Sequence, residues 1–236
     1  MIELAITGTD TGVGKTVVAC AIASALRARA ISVGVFKPVE TGITSANTGD
    51  GAALRNAAGN ADDLSLVRPY AFTLPVAPLA ASRAEGRDIE LGVLDRAIGT
   101  LRARHRALIV EGAGGLFVPV LNDTTYADLF ARWKLPVLIV AADRLGVINH
   151  TILTVRAARA SGLEVAAIVL NESAPADESR DTNAALISES AGAVPLLRFP
   201  RMHLSGDHPQ GTEGLAAGAR VLDAMAARFP ELVVQR

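Results

Sequence analysis

Between the apolar run Ile2–Thr7 and the helix-like run Val17–Leu26 stands the segment Gly8-Thr9-Asp10-Thr11-Gly12-Val13-Gly14-Lys15-Thr16. Glycines there let the backbone turn its N–H groups inward around an anion. The dipole of the following helix adds positive charge, the Lys15 ammonium neutralises phosphate, and the Thr16 hydroxyl suits magnesium. The pattern is a phosphate loop, and it places a nucleoside triphosphate at the N-terminus of the first helix. Five residues rather than the usual four separate Gly8 from Gly14, and position 9 is threonine. The longer loop narrows the family.

The rest of the chain repeats the strand-then-helix alternation that such a loop begins. Runs rich in β-branched residues predict strands at Ile2–Thr7, Ser32–Lys37, Ala107–Glu111, Val137–Ala142, Val165–Asn171 and Ala193–Leu197. Helical periodicity predicts Lys15–Ala28, Gly51–Ala58, Ile89–Arg104, Tyr126–Arg132, Val147–Ser161, Ser179–Ala191 and a last helix near Gly214–Arg228. Alternation of this kind gives an α/β fold: a mostly parallel sheet with helices on both faces, joined by right-handed crossovers, with ligands at the carboxyl ends of the strands. Lys37, Glu111, Asp143 and Asn171 all close predicted strands, so they should share that rim. The segment 38–88, with Pro38, Gly42, Gly49, Pro69, Pro75 and Pro78, reads as irregular and functional.

At 236 residues the chain is expected to be one domain, since no linker-like stretch divides it. Half the residues are hydrophobic and only 4% aromatic, so the core must come from Ala, Val, Leu and Ile, as buried parallel strands under Ala-rich helices require. With 23 basic against 24 acidic side chains there is no global field to draw in nucleic acid or an anionic membrane. The basic stretch Arg102–Arg106 reads as a solvated helix C-terminus with no ligand. Cys20, the single cysteine, sits inside the first helix pattern, which excludes an intrachain disulfide and suits the cytoplasm. With no basic leader and no long apolar run, the chain is expected to be soluble and unprocessed.

Three motifs together, Gly8–Thr16, Lys37-Pro38-Val39-Glu40-Thr41-Gly42 and Glu111-Gly112-Ala113-Gly114-Gly115, resemble the dethiobiotin synthetase family. The likeness extends through Leu145-Gly146-Val147-Ile148-Asn149-His150-Thr151 and Asn171, and so covers most of the chain. The resemblance implies an ATP- and Mg²⁺-dependent homodimer that closes a ureido ring on 7,8-diaminononanoate with CO₂. One amine becomes a carbamate, the γ-phosphate passes to the carbamate oxygen, and the second amine attacks the mixed carbamic-phosphoric anhydride. Dethiobiotin, ADP and phosphate leave.

The residues suit that chemistry, because phosphoryl transfer to a carbamate brings two anions together and needs positive charge at the shared oxygens. Lys15 and Lys37 supply it, and by resemblance Lys37 is the catalytic lysine, with Thr11 on the substrate side of the loop. Mg²⁺ takes hard oxygens, which Thr16, Asp50 and Glu111 offer. Glu111 ends the apolar run Ala107–Val110, where a carboxylate requires a partner. Asp50 opens a helix, so a cap role stays open beside the metal role.

By the same resemblance the nucleotide lies along Gly12, Val13, Gly14, Lys15, Thr16 and Val17, with Asp50, Glu111, Gly112, Ala113 and Gly114. Its purine faces Asn171 and Glu172, and Pro200, Arg201, Met202 and Glu213 lie in the base and ribose region. The diamine meets Thr41, whose hydroxyl is also a turn-forming group. Its carboxylate is expected at the helix start Val147, Ile148, Asn149 and His150 of a partner subunit, together with Asn183. Many relatives carry glutamate where this chain has Gly12, and some a tyrosine where it has Asn183.

Two other classes use a similar domain. Switch ATPases of the partition or division-site type carry an extra lysine early in the phosphate loop, where this chain has Thr9, Asp10 and Thr11. Amidotransferase-type synthases of cobalamin biosynthesis need a nucleophilic cysteine, and Cys20 lies in the wrong place for one.

Overall fold

Strand β1 (Ile2–Gly8) is buried along almost its whole length, and its side chains divide between two cores. Leu4 and Ile6 pack on one face and Ala5 on the other, the period-2 alternation of a strand covered on both sides. The structure is a computed structural model that describes residues 1–45, 48–59, 62–172, 175, 177–202 and 211–229.

After the phosphate loop come α1 (Lys15–Ala28), β2 (Val33–Phe36), β3 (Val39–Glu40), α2 (Asp50–Ala58), α3 (Leu64–Val67), β4 (Tyr70–Ala71), α4 (Pro78–Glu85) and α5 (Leu91–Arg104). The second half runs β5 (Ala107–Gly115), β6 (Pro119–Leu121), β7 (Thr124–Thr125), α6 (Tyr126–Arg132), β8 (Val137–Asp143), α7 (Val147–Ala160), β9 (Val165–Glu172), α8 (Arg180–Ala191), β10 (Leu196–Phe199) and α9 (Thr212–Ala224). The central sheet has six strands in the order β10-β9-β8-β1-β5-β2, and every pairing in it is parallel.

Helices α1, α2 and α9 cover one face through Ile22, Leu26, Leu54 and Val221. Helices α5, α6, α7 and α8 cover the other through Leu94, Phe130, Val155 and Ile187. This is the two-faced α/β architecture that the alternation predicts. The register aligns Ile6 with Glu111 and Phe36 with Val110, so Lys37 and Glu111 emerge side by side at the carboxyl rim.

Several expectations shift. The segment 38–88 contains β3, α2, α3, β4 and α4; Pro78 is the first residue of α4, where its missing N–H costs nothing. The strand expected at Ala193–Leu197 lies at Leu196–Phe199, and the last helix stops at Ala224 instead of Arg228. The basic stretch is less solvated than expected. Arg102 donates to Glu3 at 2.6 Å and to the Trp133 carbonyl at 2.6 Å, while Arg104 and His105 both hold Asp62. Cys20 is fully buried in α1, and burial pushes its thiol pKa up. No described helix is long and apolar enough to cross a membrane.

Candidate active site

The phosphate loop joins β1 to α1 in the geometry its glycines demand. Gly14, immediately before α1, has φ of +94°, a left-handed conformation that strains any residue with a Cβ. A side chain there would also strike the Asn171 amide, which donates to the Val13 carbonyl at 3.0 Å. Asn171, near the end of β9, thus braces the loop directly, while its own Oδ1 is buried without a partner. Lys15 is 7% exposed and its Nζ donates to the Asp10 carbonyl at 3.0 Å, crossing its own loop. Burial, and then the nearby Lys37 charge, lower its pKa to about 8.

Beside this loop stands a compact cluster of charge. Lys37, 2% exposed, donates to Glu111 Oε1 at 2.5 Å and to Asp50 Oδ2 at 2.8 Å. Thr16 Oγ1 donates to the same Glu111 oxygen at 2.9 Å. Burial alone would lower the Lys37 pKa, but Glu111 and Asp50 outweigh it and hold the ammonium charged well above the usual range. Burial raises the Glu111 carboxyl against the pull of Lys37, and Asp50 adds to the rise. Asp50, open to solvent on one side, has its pKa lowered, because Lys37 overcomes the effect of burial.

Thr16, Asp50 and Glu111 therefore do converge, as expected for a magnesium site. Asp50 is the first residue of α2 and Gly49 is its N-cap, so Asp50 is not the cap. Glu111 Oε2 is fully buried with no hydrogen-bond partner among the described residues, an unused acceptor on the carboxylate that Thr16 and Lys37 already hold through Oε1. Among the described residues no three His, Cys, Asp or Glu side chains form a metal cluster. A cation here would complete its shell with the Thr16 hydroxyl and phosphate oxygens, the donor set that Mg²⁺ accepts.

A cleft of about 550 Å³ opens over the cluster. Thr11, Gly12, Gly14, Thr16 and Val17 line its loop side, and Thr41, Asp50, Ala113 and Gly114 the facing side. Its apolar wall is Pro75, Val76, Ala77 and Val118; the first three lie in the irregular segment expected to be functional, but none was singled out as a lining residue, because apolar lining looks like core. Gly112 stands below, with its carbonyl 3.4 Å from Lys37 Nζ.

The outer positions are separate from this cleft. Val147, Ile148, Asn149 and His150 open α7, and Ile148 and Asn149 line a different groove of about 640 Å³. Asn183 also borders that groove, but it is 1% exposed and its amide donates to Asp143 and Ser179 at 2.9 and 3.0 Å. Its two amide hydrogens are thus engaged inside the chain, where the resemblance would have them meet a substrate carboxylate. Asp143, expected on the rim, is fully buried and accepts from Asn183 of α8. Glu172 lies 3.5 Å from Arg180. Pro200, Arg201 and Met202 follow β10 and Glu213 sits in the first turn of α9; none of the four lines the cleft, and residues 203–210 between them lie outside the described residues.

One buried residue beside the site escaped the sequence reading. Glu40, quoted within the lysine motif, is 4% exposed and accepts from the backbone N–H groups of Asp50 and Gly51 and from Arg68. Its only sequence signal was an acidic residue three positions after the catalytic lysine candidate.

The fold and the loop define a P-loop ATPase. A family model described as an AAA domain matches residues 3–207. Solved structures of similar fold include the cell division ATPase MinD of Pyrococcus furiosus, at TM-score 0.56 and 15% identity over 96% of this chain and 99% of that one. A ParA family ATPase from Chlorobium tepidum aligns at TM-score 0.52 and 17% identity, over 99% of this chain and 96% of that one. At such identities the likeness is one of fold. Sequence goes further: the ATP-dependent dethiobiotin synthetase of Anaeromyxobacter dehalogenans is 47% identical over 84% of this chain and 89% of its own length. Those of Aquifex aeolicus and Bacillus subtilis are 44% and 38% identical over 85% and 81% of this chain, and over 89% and 84% of their own lengths. The chain belongs to the dethiobiotin synthetase family of ligase enzymes.

Proposed function

We propose that this chain carries out the ATP- and Mg²⁺-dependent carboxylation and ring closure of 7,8-diaminononanoate with CO₂ in the cytoplasm, giving dethiobiotin, ADP and phosphate. The observation that carries the reading is the Lys37 ammonium, held charged between Glu111 and Asp50 at the floor of a cleft that also contains the phosphate loop. The nucleotide phosphates occupy the loop, with Lys15 turning from the Asp10 carbonyl to the phosphate oxygens. Thr16, Asp50 and Glu111 hold the magnesium ion, which neutralises phosphate charge when bound. The diamine runs along the apolar wall of Pro75, Val76 and Val118, beside Thr41.

The carbamate, formed from one amine and CO₂, places an oxygen near Lys37. That oxygen attacks the γ-phosphorus as ADP leaves, and the second amine then attacks the carbamoyl carbon, expelling phosphate and closing the ring. Lys37 stabilises the charge shared by carbamate and phosphate, a preorganised donor of the kind that contributes most in a dry site. The switch-ATPase reading shares the fold alone.

The far end of the diamine reaches its carboxylate seat at the start of α7 in a second subunit. Leu145, Leu153 and Leu186, at 81%, 57% and 43% exposure on and around α7 and α8, support a homodimer through this face. A steady-state assay with each component omitted tests the function: ADP should appear briskly only with ATP, Mg²⁺, bicarbonate and the diamine all present. ADP release independent of the diamine but stimulated by DNA, lipid or a protein would support a switch ATPase instead.

A further inference from the structure

The catalytic lysine and the aspartate it binds come from different elements, and the chain between them is irregular. Lys37 and Glu40 lie on one short stretch that ends with β3, whereas Asp50 begins α2. Helix α2 has no side-chain cap of its own, and Glu40 takes that place from outside. Its Oε1 accepts the Asp50 N–H and its Oε2 accepts the Gly51 N–H at 3.1 Å, so one carboxylate closes the helix start that carries Asp50. Arg68 Nη1, almost equally buried, holds Glu40 Oε2 at 2.7 Å and the Thr48 carbonyl at 2.7 Å, tying down the residues just before the helix.

The two glycines beside Asp50 fit this arrangement. Gly49 has φ of +93°, and a Cβ there would run into the Glu40 carboxylate. A Cβ on Gly51 would press on Arg68 at 3.1 Å. A buried ion pair is a weak source of stability, and an ordinary Ser or Asp cap would close the helix at lower cost. What the external cap adds is a fixed distance: the segment bearing Lys37 also grips the backbone of the residue that Lys37 binds.

We propose that Glu40, braced by Arg68, is a positioning residue that sets the Asp50 carboxylate for the magnesium–nucleotide complex. Glu40 itself borders the cleft, and the role proposed for it is exerted through the backbone N–H groups of Asp50 and Gly51. The proposal rests on the reading of Asp50 as a magnesium-side ligand.

Calorimetric titration of ADP into the full chain, with Mg²⁺ or with EDTA, separates the possibilities without relying on turnover. In Glu40→Gln the apparent Mg²⁺ dissociation constant in the ADP complex should rise roughly 10–100-fold, as loss of an outer-shell partner does, while ADP affinity in EDTA stays within about 2-fold of wild type. Gly49→Ala, which displaces the carboxylate while leaving its charge, should show the same selective loss and stands in if Glu40→Gln does not fold. Glu40→Gln added to Asp50→Asn should weaken Mg²⁺ no further than Asp50→Asn alone, since both act at one point. Folded variants that bind Mg²⁺ as wild type does, or additive losses in the double variant, overturn the proposal. Wild type binding ADP equally with and without Mg²⁺ would instead remove the metal reading beneath it.

Discussion

Replacing Lys37 with methionine removes a charge but little volume, and the structure separates its two consequences. Glu111 is fully buried and Asp50 is partly open to water, so the penalty falls almost wholly on Glu111. Breaking a buried pair by removing one partner costs about 3–5 kcal/mol. At about 2–4 °C per kcal/mol for a chain of this size, Lys37→Met should melt roughly 6–20 °C below wild type at pH 7. The sign with pH follows from Glu111. Without the ammonium its folded-state pKa lies further above the unfolded value, so the penalty is absent below the unfolded pKa and grows as pH rises through the folded one. The gap to wild type should therefore narrow on acidification from pH 7 to about pH 4.5, and Lys37→Met/Glu111→Gln should recover most of it. Turnover should fall roughly 10²–10³-fold, the loss expected for one preorganised donor, with ADP affinity nearly unchanged. Thermal unfolding by circular dichroism across pH, with coupled ADP release, measures both. A variant melting within about 2 °C of wild type at pH 7, with no pH dependence in the difference, would refute the claim that Lys37 offsets the cost of burying the Glu111 carboxylate.

Other changes probe separate parts of the site. Glu111→Ala should stay folded yet be nearly inactive at ordinary magnesium, and retained activity would remove Glu111 from the metal set. Asn171→Ala deletes the brace on Val13 and should raise the apparent Michaelis constant for ATP roughly 10-fold, with a smaller effect on turnover, as loss of binding shared by ground and transition states does; an unchanged constant would contradict that role. Asp62 has its pKa lowered: burial opposes the shift, and Arg104 and His105 overcome it. Its contribution, roughly 1–3 kcal/mol, should be present above the unfolded pKa of about 3.9 and lost as pH falls through the folded value. The stability gap between wild type and Asp62→Asn should thus hold from pH 7 to about pH 4 and close below it. Leu153→Arg should yield monomers by sedimentation with weakened diamine binding, and a fully active dimer would relocate the interface.

The parts of this molecule legible in sequence are those where local chemistry and fold agree. Apolar runs such as Ala107–Val110 can only be buried parallel strands, and a glycine-rich turn into a helix leaves Lys15 and Thr16 one place to stand. Residues closing strands fell on one rim for the same reason, and Lys37 and Glu111 met there. The burial of Asp143 was not legible because rim position does not reveal it; its hydrogen bond from Asn183 is a tertiary fact. The apolar wall at Pro75–Val76 and the grip of Glu40 on α2 depend on how β3, β4 and α2 fold across one another, which no periodicity records. Short elements such as α3 and β6 bury too few residues to leave a pattern.

In the proposed reaction, phosphate leaves carrying an oxygen that arrived with CO₂. Single-turnover reaction of the enzyme with ATP, Mg²⁺, the diamine and ¹⁸O-labelled bicarbonate, followed by mass analysis of the phosphate, tests this directly. Transfer of the γ-phosphate to the carbamate oxygen predicts one ¹⁸O in each phosphate released, formed together with a ureido product. Phosphate free of label, released while that product accumulates, would contradict it.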